Sequence, residues 1–87
     1  MKTYDITFQK IEDARQECMK KKAILKISKS YDTLIRVYDL LEDLKTRKAS
    51  NIHLAKSIRM WIASYNKVKS NFVATQLYHF LEDCRVK

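Results

Sequence analysis

Apolar residues recur at intervals of three and four positions along most of this chain, a spacing typical of amphipathic helices. It predicts four helices: one over residues 5–22, one over 30–45, one starting at 50 or 51, and one that follows the polar run 66–71. Because each segment is polar on its other side, each helix is expected to bury one face and expose the other.

Polar residues that favour the first position of a helix precede each of the first three segments. Thr3 or Asp5 is expected to cap the first helix, and Ser30 the second. Ser50 or Asn51 is expected to cap the third, since either side chain can accept a hydrogen bond from a free backbone amide in the first turn.

The same spacing predicts which side chains form the core. In the first helix these are Tyr4, Phe8, Ile11, Ala14 or Arg15, and Cys18. In the second they are Tyr31, Leu34, Tyr38 and Leu41, widened by Val37, Leu40 and Leu44. In the third they are Ala55, Ile58, Ile62 and Tyr65, flanked by Leu54, Trp61 and Val68. In the fourth they are Val73, Leu77, Phe80 and Cys84, with Leu81 beside them.

Short connections between consecutive helices favour antiparallel neighbours. The chain is therefore expected to be all-α, an antiparallel up-down four-helix bundle that forms a single domain over residues 1–87. Residues 20–30 are harder to assign, because five lysines alternate there with a few aliphatic residues. We interpret them as the end of the first helix followed by a connection that packs on the core.

Glycine and proline are both absent from the sequence. Tight hairpin turns and phosphate-binding loops depend on glycine, because they need positive φ angles or close approach of the backbone to a ligand. Helices need neither residue. The composition therefore argues against sheets and nucleotide-binding loops and agrees with the helical pattern.

The chain is strongly basic, with 18 Lys and Arg against 10 Asp and Glu and a net charge of +8. No acid occurs between Leu44 and Leu81, a stretch that includes the whole of the third helix. Lys56 and Arg59 share one side of that helix, and Lys67 lies two turns further along it. This asymmetry points to an anionic partner, with a solvated helix face as the alternative.

Signals for catalysis and metal binding are weak. His53 and His79 are far apart in the sequence, and neither belongs to a paired metal-ligand motif. His79 and Asp83 are one turn apart on the fourth helix, but two ligands are too few for a metal site. No nucleophile has a base beside it. We expect no catalytic residues, no metal and no cofactor, and so a protein that binds rather than an enzyme.

Cys18 and Cys84 lie on apolar helix faces and are expected to be buried and reduced. No stretch reaches the roughly 18 apolar residues of a membrane-spanning helix, and the N-terminal residues lack the apolar core of a signal peptide. We therefore expect a cytoplasmic protein, with binding at the inner face of the cell membrane as a further option.

Several segments are similar in order and type to those of one known family. They are the helix end Leu-Leu-Glu-Asp-Leu-Lys (40–45), the break Lys-Ala-Ser-Asn (48–51), Leu-Ala-Lys-Ser-Ile (54–58), Tyr-Asn-Lys-Val-Lys (65–69), Asn-Phe (71–72) and Gln-Leu-Tyr-His-Phe-Leu (76–81). Over residues 31–84 the chain resembles the immunity proteins that protect Gram-positive bacteria from their own pediocin-like (class IIa) bacteriocins.

The resemblance implies a cytoplasmic antiparallel bundle, which confers resistance by engaging the mannose phosphotransferase permease once bacteriocin has bound it. It also implies that the third and fourth helices make the contacts, and an anionic inner membrane surface could assist through the basic charge. From their expected exposure, the predicted contact residues are Lys56, Arg59, Lys67, Lys69, Tyr78 and His79.

Two other functions fit the same sequence. A nucleic-acid-binding or phage-type regulatory protein would lay the basic residues 45–69 on phosphates. A small helical subunit of a larger assembly would instead self-associate through unburied aromatic residues when expressed alone. For the immunity function we expect a monomer.

Overall fold

The computed structural model describes residues 3–25, 28–67 and 71–86, and most of these residues lie in four α-helices. The helices are α1 (Phe8–Leu25), α2 (Ser28–Thr46), α3 (Asn51–Lys67) and α4 (Asn71–Asp83). The predicted all-α four-helix bundle is confirmed. None of the four is both long enough and apolar enough to cross a membrane.

Helices α1 and α2 pack antiparallel, as contacts along their length show. The Lys45 ammonium lies 5.3 Å from the centre of the Phe8 ring near the start of α1. At mid-helix the Arg15 guanidinium donates to Asp39 at 2.7 Å, and Lys22 near the end of α1 pairs with Asp32 near the start of α2. Later residues of α1 thus contact earlier residues of α2.

Helix α2 also packs against α4, and these two run in the same direction. Tyr31 contacts Phe72 edge-on at 5.3 Å between ring centroids, and Tyr38 contacts Phe80 at 5.2 Å. The earlier residue of α2 contacts the earlier residue of α4, and the later residue contacts the later one. The ends of α1 and α3 and the starts of α2 and α4 therefore lie at the same end of the bundle.

The chain before α1 is extended, and the predicted start of this helix at residue 5 is wrong. The Thr7 hydroxyl accepts a hydrogen bond from the Lys10 amide at 3.1 Å, so Thr7 is the cap instead of Thr3 or Asp5. The Asp5 amide donates to the Cys84 carbonyl at 2.7 Å, and the Val86 amide donates to the Thr3 carbonyl at 2.9 Å.

This pairing of the two terminal segments changes which residues enter the core. Tyr4 and Ile6 are buried because the extended segment lies over one end of the bundle. Phe8 is half-exposed, so its predicted place in the core is wrong. Ile11 and Cys18 are buried as predicted.

Helix α2 begins two residues before Ser30, so the predicted cap at Ser30 is wrong. It ends in a Schellman motif: the Ala49 amide donates to the Leu44 carbonyl at 3.1 Å, and the Lys48 amide donates to the Lys45 carbonyl at 2.9 Å. Lys48 has φ 66°, a left-handed conformation that usually favours glycine.

Helix α3 is capped by Ser50, whose hydroxyl accepts a hydrogen bond from the His53 amide at 3.2 Å. The side chain of Asn51 has a different role, since its oxygen accepts from the Ile6 amide at 3.3 Å. Helix α3 continues through Asn66 and Lys67, so the polar connection expected there is shorter than predicted. Val68 lies outside the described residues.

The core lies between the four helices and contains most of the residues predicted for it. Every predicted residue of α4 is buried. In α2, Leu40 is half-exposed, so its predicted burial is wrong. In α3, Leu54, Ala55 and Ile58 are buried, whereas Trp61, Ile62 and Tyr65 pack partly buried against the core. Apart from tyrosines and cysteines, no polar or charged side chain is buried among the described residues.

Candidate partner-binding surface

The exposed side of α3 is both basic and apolar. Steps of four, four, three and four residues place five side chains along one line of this helix. We call this line the α3 outer face: Ile52, Lys56, Met60, Ala63 and Lys67. All five are exposed, including Ile52 at 69% and Met60 at 66% of the maximum.

The lysines of this face have no acidic partner within the described residues. The ion pairs found there join residues of α1 and α2, or lie near helix ends at Arg47 and Arg85. None of them includes a residue of α3. The charge of Lys56 and Lys67 is therefore free to meet a negative group from outside.

Arg59 lies to one side of this face. Its guanidinium carbon lies 5.8 Å from the centre of the Tyr4 ring, within the range of a cation–π contact. Tyr4 belongs to the extended segment that pairs with Arg85. Arg59 is exposed, but its head group is directed toward the terminal segments and also helps to hold them.

Tyr78 and His79 lie on α4, beside the second half of α3. Both are exposed, and their ring centroids are 6.0 Å apart. They line a shallow groove of about 280 Å³ whose other walls are Ile62, Asn66, Ala74 and Thr75. An aromatic ring with a polar tip at the edge of a groove is suited to contact with another protein.

The structure thus separates the predicted contact residues into three groups. Lys56 and Lys67 share the α3 outer face, and Tyr78 and His79 share the groove between α3 and α4. Arg59 packs on Tyr4 at the end where the chain termini meet. The sixth, Lys69, lies outside the described residues.

His79 also borders a second groove, of about 180 Å³, where α1, α2 and α4 meet. Its polar lining comes from Glu17, Lys21, Tyr31, Tyr38, Gln76, His79 and Asp83. Burial raises the pKa of the Tyr38 hydroxyl above its ordinary value, with smaller effects from neighbouring Cys18, Cys84 and Asp83. Tyr38 is therefore a neutral structural group at the base of this groove.

Cys18 and Cys84 line two of the grooves on this side of the bundle. Within the described chain, no three His, Cys, Asp or Glu side chains are placed to hold a metal ion. Burial raises the pKa of the Cys84 thiol to about 11 and also raises that of Cys18. A protonated thiol is a poor nucleophile. Exposed cations beside exposed apolar groups, as on the α3 outer face, are suited to contact with a partner.

The sequence pattern did not identify the apolar members of the α3 outer face. Ile52 and Met60 lie four residues before and four residues after Lys56. That spacing places them on the cationic side, away from the core positions. This spacing alone identifies Ile52 and Met60 as neighbours of Lys56. Candidate contacts chosen only among charged and polar residues do not include them.

Comparisons with known proteins leave the family open: no family model matches the sequence, and neither the curated proteins nor the solved structures give a match.

Proposed function

We propose that this protein is a cytoplasmic immunity protein of the kind that protects a bacterium from a pediocin-like bacteriocin. In this role it binds the mannose phosphotransferase permease from the inside after bacteriocin has engaged it. The contact surface is the α3 outer face together with the groove that holds Tyr78 and His79. Two kinds of support favour this proposal: the pattern of residues 31–84 and the chemistry of the surface.

The observation that carries the proposal is the free positive charge of α3. Lys56 and Lys67 are exposed and have no ion pair within the described residues, whereas Arg15, Lys21 and Lys22 are all paired. Cations without partners in the free protein attract an acidic surface at long range and speed encounter. Ile52 and Met60 between them supply apolar area that a protein partner can bury.

The groove beside Tyr78 supplies the second part of the surface. Tyr and His side chains at a groove edge offer hydrogen bonds as well as apolar contact, and tyrosine is enriched at protein interfaces. Because the groove adjoins the last turns of α3, one partner can contact both Lys67 and Tyr78.

The test is protection of a bacteriocin-sensitive strain that expresses this protein, measured as survival against a panel of pediocin-like bacteriocins. Selective survival against one or a few is expected. Lys56→Gln combined with Tyr78→Ala should reduce that survival. Arg36→Gln removes one exposed charge from α2 and should not reduce it. If the abundant wild-type protein protects against no panel member, the immunity function is wrong.

A second candidate function is nucleic-acid binding, favoured by the same free lysines on α3. Phosphate contacts release counterions, so the logarithm of the affinity should fall by about 0.9 per logarithm of salt for each phosphate neutralised. The exposed Ile52 and Met60 in the centre of the face argue against it, since a phosphate backbone offers them no apolar partner. Duplex-DNA binding at two salt concentrations distinguishes the two functions.

A further inference from the structure

The ends of α1 and α3 and the starts of α2 and α4 form one end of the bundle. The edge-on contact of Tyr31 with Phe72 joins the first turn of α2 to the first turn of α4. Helix α1 ends at this level with Leu25, and α3 ends there with Lys67. We call this end, formed by the described residues within 20–33 and 64–75, the turn end.

Positive charge is concentrated at the turn end. Its described residues include five lysines: Lys20, Lys21, Lys22, Lys29 and Lys67. The described residues of the turn end include one acidic residue, Asp32, which pairs with Lys22. Glu17, one turn before Lys21, pairs with it at 3.6 Å. The other three lysines have no ion pair among the described residues, so the turn end keeps a net positive field.

The far end of the bundle has a different charge balance. Asp5, Asp43, Glu82 and Asp83 lie there, close to the paired terminal segments and the end of α2. These acids offset the positive charges of the same end. Arg47 pairs with Asp43, and Arg85 pairs with Glu82. The excess positive charge of the described chain is therefore directed toward the turn end.

Apolar side chains project among these lysines. Ile24, in the last turn of α1, is 76% exposed. It follows Lys20 by four residues and Lys21 by three, so the three share one side of α1. Phe72 is 41% exposed although its ring contacts Tyr31. An exposed aliphatic group with cations one turn away suits a surface that is both anionic and apolar.

We propose that the turn end binds the surface of an anionic lipid bilayer. Lys20, Lys29 and Lys67 contact headgroup phosphates, and Ile24 and Phe72 enter the boundary between headgroups and acyl chains. The long apolar stems of the lysines allow their ammonium groups to remain at headgroup level while the neighbouring apolar groups go deeper.

A bilayer fits this end better than the other anionic partners. Nucleic acid offers phosphates but no apolar layer for Ile24, which shares one side of α1 with Lys20 and Lys21. A bilayer offers both components at the correct relative depth. The turn end shares Lys67 with the α3 outer face, but its other contact residues lie on α1, α2 and α4, and binding there needs neither bacteriocin nor permease.

The experiment measures partitioning of the full-length protein into vesicles by co-sedimentation. One set of vesicles contains equal parts of phosphatidylglycerol and phosphatidylcholine, and the other contains phosphatidylcholine alone. Strong binding to the anionic set is expected, falling as salt is added. Because the vesicles contain no protein, failure here is distinguishable from failure of the immunity function.

Two variants with matched controls locate the contact. Lys20→Gln with Lys29→Gln should weaken partitioning about thirtyfold, since each lysine near an anionic surface contributes roughly equally to the affinity for the vesicles. Arg36→Gln with Lys48→Gln removes the same charge elsewhere and should change it little. Ile24→Ser should weaken it about tenfold, whereas Leu40→Ser, at an exposed aliphatic position of α2, should not.

Three results would overturn the proposal. The first is equal binding to anionic and neutral vesicles, or no binding to either. The second is an equal loss of vesicle binding in the two charge-matched double variants. That result would mean that the net charge of the protein, and not the turn end, determines its attraction to the vesicles. The third is that Ile24→Ser binds as well as wild type. Circular dichroism of each variant confirms that its helices are intact before the comparison is made.

Discussion

The ring of Tyr38 packs edge-on against the ring of Phe80, with centroids 5.2 Å apart and planes inclined by 61°. Both rings are nearly fully buried. Phe80 also lines the grooves that α4 forms with α1, including the one bordered by Cys84. This contact holds α4 against α2 and thus joins the two helical hairpins of the bundle.

Phe80→Ala should therefore destabilise the protein by about 3–5 kcal/mol, from lost burial together with the cavity it leaves. A domain of this size has only a few kcal/mol to lose, so the variant should be largely unfolded at room temperature. Urea unfolding followed by circular dichroism measures this. Phe80→Leu keeps most of the volume and should cost much less; equal losses for both variants would contradict the packing argument.

The core was predictable where a helix is regular and far from its ends. All the predicted residues of α4 are buried, because steps of three and four keep Val73, Leu77 and Phe80 on one face. Phe8 was predicted wrongly for a tertiary reason. The segment before it pairs with the chain near Cys84, so Ile6 occupies the core and the helix starts after it.

The candidate binding surface was predictable to a similar extent. The absence of acids in α3 follows from the sequence, and helical spacing alone places Lys56 and Lys67 on one face. The contact of Arg59 with Tyr4 could not be predicted, because it depends on the N-terminal segment folding back over the bundle. Helix spacing says nothing about a contact between segments so distant in sequence.

Lys48 offers a test of the end of α2. It has φ 66°, and a side chain with a Cβ is disfavoured by about 1 kcal/mol or more in this left-handed region. Lys48→Gly removes this cost and should stabilise the protein by roughly 0.5–1 kcal/mol. Arg36→Gly, in the exposed interior of the same helix, should destabilise it by about 1 kcal/mol. Thermal unfolding of both variants should give shifts of opposite sign.

The buried thiols and Tyr38 make stability depend on pH on the alkaline side. Burial raises the pKa of Cys84 to about 11 and raises those of Cys18 and Tyr38. The unfolded chain therefore releases these protons first, and ionisation favours unfolding. Their contribution to stability is complete below the ordinary thiol pKa near 9 and is lost progressively as the pH rises toward 11.

Urea midpoints measured from pH 7 to pH 11 test this dependence. They should be lower at pH 11 than at pH 8, and Cys84→Ala should reduce the slope between these values while lowering stability throughout. An unchanged slope in that variant would mean that Cys84 does not contribute to the alkaline loss.

The apolar groups on the α3 outer face should matter for function and not for stability. Ile52 and Met60 are 69% and 66% exposed, so replacing both by serine removes little buried area. The double variant should unfold within about 0.5 kcal/mol of wild type, as surface substitutions usually do. If a protein partner buries these groups, the same variant should lose bacteriocin protection in the survival assay. Full protection by a stable double variant would exclude the centre of the α3 outer face as a contact and leave the Tyr78 groove as the proposed surface.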